Sequence, residues 1–364
     1  MNVLSLYEKH ILADERSFTR VSEIEKILKY MAYFLPAEFR TNELSSQTIS
    51  SVLLFLQQFH TDLLYRKISE LPEHEQRSLK SERTLFIEYF NKRSPYFQIS
   101  SRLLFLVNNL SLPTEILTAK LHPLHQYDTV LSVESLKLLL RLHLMYLTGG
   151  HLPFRNPLLT RDFNSRNFIN IYATYNDPKK YVTLKKTGKK VPRLHSVPSS
   201  FQQLNQSTPK LHNLLLQSSS SQPLGALRII SNLLRVFRPF IYMLLTWHWK
   251  RTQLSGKSPR NRPWLPWILS LIMETSSLYL NSKDSNKSSK SLPMRVEASS
   301  NQSAFRDYII WSLTHGRFFD EFTRQWLKYI IRWVDPIPFV GRLFNVYFNE
   351  NAYRLENYVS SANF

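Results

Sequence analysis

The chain has 364 residues, 43% of them hydrophobic and 13% aromatic, and carries 47 Lys and Arg against 27 Asp and Glu, for a net charge of +20. Apolar content at that length excludes wholesale disorder and allows at least one substantial core. The absence of cysteine excludes disulfides, thiolate zinc sites and thiol catalysis together. The basic excess favours a polyanionic neighbour, either nucleic acid or the anionic face of a membrane. Only 7 glycines accompany 23 Phe, 18 Tyr and 7 Trp, so tight turns are scarce and long helices with irregular connections are expected. The predicted fold class is all-α: an irregular assembly of amphipathic and membrane-interfacial helices joined by long polar linkers.

The opening residues lack the basic-then-apolar order of a secretory signal. No stretch reaches the ~18 uninterrupted apolar residues of a standard spanning helix. Phe18, Val21, Ile24, Ile27, Leu28, Met31 and Leu35 recur every three or four residues, which predicts an amphipathic helix that Pro36 ends. A second helix begins near Asn42, as N-cap, and runs through Ile49, Val52, Leu53, Leu56, Phe59, Leu63 and Leu64. Further helices are expected over 83–91, 98–110 and 113–121. A more apolar one starts at an Asp128 cap and ends at Gly149 and Gly150, with Lys137 and Arg141 four residues apart as a single basic ridge. That ridge suits an interfacial helix, or a spanning helix whose stripe faces protein.

From 151 to 222 the helical period disappears, and Pro, Asn, Ser and Lys dominate, which predicts a long basic connection with little core. Helical pattern resumes over 224–250 and 263–280. A polar linker is expected over 281–303, then a terminal aromatic block over 304–348. The expected organisation is an N-terminal helical region over 1–150, the connection over 151–222, a C-terminal membrane-associated helical region over 223–348, and a tail over 349–364.

Signatures of chemistry are few. No Gly-x-Gly-x-x-Gly occurs, and Thr187-Gly188-Lys189-Lys190 has Thr183 where a phosphate-binding loop needs its first glycine. His122 and His125 stand three apart around Pro123 with no acidic third ligand nearby, which reads as two surface imidazoles. No nucleophile elbow is present. The chain is read as a non-enzyme with no catalytic residue, cofactor, metal or small-molecule substrate.

Two basic clusters stand out. Lys179, Lys180, Lys185, Lys186, Lys189, Lys190 and Arg193 form a stretch without acid, whose core over 181–191 can fold as a short hairpin around Thr187-Gly188, with Pro192 limiting the return strand. A solvated loop, a lipid-headgroup patch and a nucleic-acid contact are its three readings. The second cluster, Lys250, Arg251, Lys257, Arg260 and Arg262, lies between Trp247 and Trp249 on one side and Trp264 and Trp267 on the other, with apolar segments 240–245 and 268–273 outside both. Apolar helix, Trp pair, basic loop, Trp pair, apolar helix is the order of a bilayer edge, where indoles sit at the headgroups and cations meet phosphate. Two core helices with packed tryptophans and a solvated loop are the alternative. Nucleic-acid binding, the rival function, calls for aromatic and basic residues interleaved on one groove, whereas here they are segregated.

Four places resemble the peroxin-16 family of peroxisome-biogenesis membrane proteins. The first joins Leu6-Tyr7-Glu8, the helix ending Tyr30-Met-Ala-Tyr-Phe-Leu-Pro-Ala-Glu-Phe-Arg40, Glu43-Leu44 and the Leu-rich helix finishing at Arg66-Lys67. The second is the basic stretch closing on Leu194-His195-Ser196, and the third runs from Arg238-Pro239 through the Trp-basic loop to Leu278. The fourth spans Tyr308 to Leu313, Phe318-Phe-Asp-Glu-Phe322 and the turn Pro336-Ile-Pro-Phe-Val-Gly341. The resemblance implies a non-catalytic membrane protein that helps target and insert peroxisomal membrane proteins, acting with peroxin-3 and peroxin-19 at the peroxisome or the endoplasmic reticulum. Arg66 and Lys67 are the positions that match the family's basic targeting region.

Overall fold

The computed structural model describes residues 23–25, 27–28, 43–71, 76, 79–151, 157–161, 168, 171, 181–183, 190–192, 225–256, 263–285, 292–335, 337 and 357–358. Helices dominate, as the composition predicts. The leucines that recur from 53 to 64 close a long helix, α1, over Glu43–Ile68. α2 spans Glu82–Arg93, and α3 covers Pro95–Leu121 with its proline at the first helical turn, where no N–H is needed. After a single 3₁₀ turn at Pro123–His125, α4 runs over Gln126–Leu147. Then come α5 at Ala226–Leu254, α6 at Leu265–Ser285 and α7 at Leu292–Thr314. One helical turn, Gly316–Phe318, and a π turn, Phe319–Thr323, lead into α8 at Arg324–Val334.

The chain forms two compact units, each assembled from two separate stretches: Met1–Lys92 with Leu159–Ser219, and Arg93–Leu158 with Ser220–Phe364. In the first, Leu64, Tyr65, Ile68, Leu71, Leu79 and Phe168 form a buried cluster, with Leu159 and Ile171 packed on it. The Tyr65 hydroxyl donates to the Thr160 carbonyl at 2.6 Å. Arg161 forks onto Glu25 at 2.7 and 3.0 Å, and Glu25 also takes His60. The connection over 151–222 therefore contributes core where patterning predicts little. Leu159, Phe168 and Ile171 are isolated apolar residues in a polar stretch, and single residues carry no period. The short hairpin forms as expected: β1 (Tyr181–Thr183) pairs antiparallel with β2 (Lys190–Pro192), Val182 facing Val191. Pro192 closes the ladder opposite Tyr181, at the strand end where a missing donor is tolerated. Of the helix predicted over 18–35, residues 23–25 and 27–28 are helical and the others lie outside the described residues.

In the second unit α5 and α6 make the most extensive helix pairing, as an antiparallel hairpin, and α4 packs against both α3 and α5. Three expectations are corrected here. The helices predicted over 98–110 and 113–121 are one, α3, which passes through Pro113. Local side chains flank the proline: the Ser111 hydroxyl donates to the Asn108 carbonyl at 2.8 Å, and Thr114 to Ser111 at 2.9 Å. Asp128 does not cap α4. The helix begins two residues earlier, and Asp128 sits in its first turn, where a carboxylate still meets the positive end of the helix dipole. The polar segment over 281–303 is helical at both ends, since α6 continues to Ser285 and α7 starts at Leu292. Ser, Asn and Lys cost a helix only tenths of a kcal/mol each relative to Ala, of the order of ~0.5, so polarity does not end one. The other end of α4 follows the sequence: Gly149 and Gly150 take φ of 71° and 94°, and their N–H groups return to Tyr146 and Met145 at 3.2 and 2.8 Å, a Schellman stop.

In the first unit the Glu88 and Glu25 carboxylates are each tied to two basic side chains. Glu88 accepts from Lys80 at 2.6 Å and from Lys92 at 2.8 Å, and the Lys80 side chain is only 3% exposed. Burial pushes the Glu88 carboxyl up, but the hydrogen bonds from Lys80 and Lys92 outweigh it and hold the group below its ordinary 4.5. Glu25 is likewise lowered: burial raises it, and His60 and Arg161 more than offset this. A carboxylate depressed in the fold contributes stability above its unfolded value and loses it as pH falls through the folded one. The melting temperature of the full chain in detergent, followed by circular dichroism, is expected to drop as pH falls below 4.5. Glu88→Gln strands the Lys80 ammonium and costs about 3 kcal/mol at neutral pH, and it flattens the acid slope.

Candidate membrane-facing site

Along α5, Arg228, Ser231, Asn232, Arg235, Arg238 and Thr246 are all buried. Their spacing of three and four places them on one face. The matching face of α6 buries Ser270, Glu274 and Ser277. The two faces meet as a polar seam. The Ser231 hydroxyl donates to the Ser277 carbonyl at 2.7 Å, and the Ser277 hydroxyl returns to the Ser231 carbonyl at 3.0 Å. One turn on, the Glu274 carboxylate, 0% exposed, accepts from Arg235 at 3.1 Å and from Arg238 at 2.5 Å. α7 supplies the remaining partners: Asn301 bonds Arg235, and the Arg238 guanidinium lies 4.3 Å from the Tyr308 ring centroid. Asn232 reaches the Gly150 carbonyl at 3.0 Å, which ties the end of α4 to α5.

The other sides of these helices carry exposed apolar residues, Leu265, Ile268, Ile272 and Tyr279 on α6 and Ile309, Ile310 and Leu313 on α7, the latter beside the exposed charges of Arg306 and Asp307, and α3 adds Tyr96, Ile99, Leu103 and Leu106. Along the α5–α6 seam, charges and hydroxyls are thus paired inside while apolar side chains face outward, a local reversal of the usual order in water. Such a seam suits hydrocarbon, where polar groups must find partners within the bundle while apolar faces meet lipid tails. α5, at 29 residues, is about 43 Å long by its helical rise, against a hydrocarbon thickness of about 30 Å. Among the described residues it is the one helix long and apolar enough to cross a membrane by length and composition.

The four tryptophans predicted for the bilayer edge fall at the loop end of the hairpin, in separate settings. The Trp247 indole donates to the Asp128 carboxylate at 2.6 Å, with the Arg251 guanidinium 5.3 Å from its ring centroid. That bond, and then one from His125, holds Asp128 below the usual carboxylate range. Trp249 is buried in the wall of a small pocket that Tyr127, Tyr242, Trp267 and His315 also line. The Lys250 ammonium lies 5.8 Å from the Tyr127 centroid and 5.9 Å from that of Trp249. Trp264 and Trp267 meet edge to face at 5.7 Å, Phe318 stacks on Trp267 at 5.3 Å, and the Trp267 indole donates to the Ser312 carbonyl at 2.8 Å. Gly316, at φ 70°, allows this closeness: a Cβ there would stand 3.2 Å from the Tyr242 hydroxyl.

Of the basic residues assigned to membrane-facing loops, Lys257, Arg260, Arg262, Lys185, Lys186 and Lys189 lie outside the described residues, and of Lys190 only the strand backbone is described. Arg66 and Lys67 occupy the last turn of α1, where Lys67 pairs with Glu70 at 2.8 Å. Lys137, on the basic ridge of α4, faces protein: it is buried and bonded to Glu134 at 2.8 Å. His125 pairs with Asp128 at 3.1 Å in an exposed position. The seam itself is absent from the sequence reading. Its signal was present: Arg228, Arg235 and Arg238 recur at helical spacing in a helix without acid, and Glu274 is a single carboxylate within the apolar part of α6.

A sequence model of the family described as "Peroxisomal membrane protein (Pex16)" matches residues 5–354. The chain belongs to the Pex16 family. It is also 46% identical over 361 residues to the peroxisomal membrane protein PEX16 of Schizosaccharomyces pombe (strain 972 / ATCC 24843), with 99% of each chain covered. No solved structure matches it. Membership of the Pex16 family gives the protein a role in peroxisome biogenesis and a place in the peroxisomal membrane.

The seam makes a definite prediction for this Pex16 family member. Glu274→Gln leaves two buried guanidinium groups facing a neutral amide and is expected to cost about 3–5 kcal/mol. Replacing Arg235, Arg238 and Glu274 together by Met, Met and Leu should restore most of that loss. Thermal unfolding of the purified full chain in detergent compares the two variants.

Proposed function

We propose that the protein is a membrane-embedded scaffold, without chemistry of its own, that receives peroxisomal membrane proteins and aids their insertion, with peroxin-3 and peroxin-19 as its working partners. The inverted hairpin of α5 and α6 carries this reading, because a charge-paired interior with an aliphatic exterior anchors a chain in lipid and leaves its other surfaces free to bind protein. The basic excess then belongs to lipid phosphate. With family membership on the side of the membrane, the nucleic-acid reading has no remaining support.

The loop between α5 and α6 stays on the cytosolic face in this proposal. This loop and the last turns of α5 before it carry Lys250, Arg251, Lys257, Arg260 and Arg262 with no acid between them. Carrying such charges through hydrocarbon costs about 2.5–3.5 kcal/mol each on insertion scales, whereas each gains about 1 kcal/mol against anionic lipid at the surface. Changing all five to Gln should weaken the salt and anionic-lipid dependence of membrane association, measured by flotation with vesicles of graded phosphatidylserine content.

Cells deleted for the gene should lose or mislocalise their peroxisomal membrane proteins and recover them when the chain is re-expressed. Fluorescently tagged membrane and matrix cargo, imaged before and after re-expression, provides the readout. Normal import of both in a clean deletion would overturn the reading.

A further inference from the structure

Helix α8 is a short element with a face that is exposed among the described residues. Two faces of its eleven residues expose different chemistry. Trp326, Tyr329, Ile330 and Trp333 follow at i, i+3, i+4 and i+7, and the two indoles are 67% and 68% exposed. Arg324, Lys328 and Arg332 follow at i, i+4 and i+8, about 150° around the helix from the aromatic face at 100° per residue. Leu327, Ile331 and Val334 lie on a third arc and are half-buried, so this side holds α8 to the protein. The helix contains no acid. Its nearest carboxylates are Asp320 and Glu321 in the turn before it, the latter bonded to Arg317 at 2.5 Å, and Asp335 directly after it.

We propose that α8 is an interfacial helix that lies in the headgroup layer of an anionic membrane surface, with Trp326, Tyr329, Ile330 and Trp333 inserted and Arg324, Lys328 and Arg332 against lipid phosphate. The inference takes the peroxisomal-membrane location as its starting point and holds whatever cargo the scaffold handles. Eleven residues span about 16 Å along the axis, roughly half of what crossing requires, so the helix lies on the bilayer rather than through it. The choice of residues fits the headgroup layer better than a protein groove. Tryptophan and tyrosine place an apolar ring and a polar N–H or O–H at the depth where tails give way to headgroups, and a helix with three cations and no acid beside such a face suits anionic lipid. Long cationic stems beside such a face reach phosphate while their methylenes cover apolar surface. The turn that leads into α8 adds a further exposed aromatic: Phe322 lies 5.1 Å from Phe318 and 6.4 Å from Trp264 by ring centroids, next to the tryptophans at the mouth of the hairpin.

Because the chain has no cysteine, single spin labels report on this helix in the intact protein. Full-length chain carrying Ile330→Cys or Trp333→Cys on one face, and Gln325→Cys or Lys328→Cys on the other, is reconstituted into phosphatidylcholine vesicles with and without phosphatidylserine. With phosphatidylserine, labels at 330 and 333 should be relaxed by oxygen and shielded from a water-soluble nickel chelate, and labels at 325 and 328 should show the reverse. Neutralising Arg324, Lys328 and Arg332 to Gln, read with the label at 330, should lower the ratio of docked to undocked helix on the order of fivefold for each charge removed. Circular dichroism checks that each variant keeps its helix content, and two positions on each face guard against a local effect of one label. Equal access of the nickel chelate to both faces in phosphatidylserine vesicles would overturn the proposal. Shielding that appears only on addition of a purified protein partner would overturn it too, because the face would then be a protein dock. Either result on purified protein leaves the deletion experiment untouched, so the two readings fail separately.

Discussion

The Glu274 carboxylate, held between Arg235 and Arg238, is the constraint on which the second unit depends. Two guanidinium groups and one carboxylate leave a positive excess in a region from which water is excluded. Burial of that kind is tolerated only when every charge is closely paired. The excess explains why α7 is part of the bundle at all. Its Asn301 and Tyr308 give Arg235 a neutral oxygen and Arg238 an aromatic face, so packing α7 on the hairpin adds to the solvation of an ion cluster as well as burying apolar surface. Tyr308 in turn packs with Tyr242 and Trp311 in a buried aromatic cluster, which joins the polar and apolar parts of the interior in one residue.

The hydroxyl pair Ser231 and Ser277 serves a different purpose from the ion cluster. Small residues let two helix backbones approach closely, and their reciprocal bonds to each other's carbonyls fix the register of the hairpin without any charge. Lipid supplies no hydrophobic drive to hold two apolar helices together, so a specific polar contact is what selects one register. The first unit follows the ordinary rule instead. Its cluster of Leu64, Tyr65, Ile68, Leu71, Leu79 and Phe168 is apolar within, and its ion pairs Glu25 with Arg161 and Glu88 with Lys80 tie together segments that have no helical period in common.

The sequence made helix existence legible and polar function obscure, for physical reasons that can be named. The leucine period from 53 to 64 and the glycine pair at 149 and 150 are local signals, and the structure follows them. Pro113 misled because a proline forfeits one backbone bond of a helix without always ending it. Leu159, Phe168 and Ile171 were missed because a lone apolar residue has no period. The seam was hidden by the habit of counting charge against a membrane helix, when Arg228, Arg235 and Arg238 in fact recur at helical spacing toward a partner. α8 lay inside a block recognised only as aromatic, and its two-sided nature appears once helix bounds fix which residues share a face. Trp247, Trp249, Trp264 and Trp267 were correctly gathered at one end of a helix pair, but that three of their four indoles would meet Asp128, Ser312 and a pocket wall required the third dimension.

Pro239 lies inside α5, one residue beyond Arg238 and four beyond Arg235, so the Arg235 carbonyl lacks its usual helical donor. The helix is thus easiest to bend at the point where its side chains are most firmly anchored. Toward the N-terminus, Ser231, Arg235 and Arg238 lock the helix to α6. Toward the C-terminus the helix passes through this one weakened turn to the segment bearing Trp247 and Trp249, whose far end is held to α4 through Trp247 and Asp128. In the membrane-embedded arrangement proposed above, a bilayer a few ångströms thinner or thicker would be met by a change of tilt beyond residue 239, with the ion cluster left in register. A hairpin so placed would accommodate hydrophobic mismatch at its loop end while the ion cluster keeps its geometry.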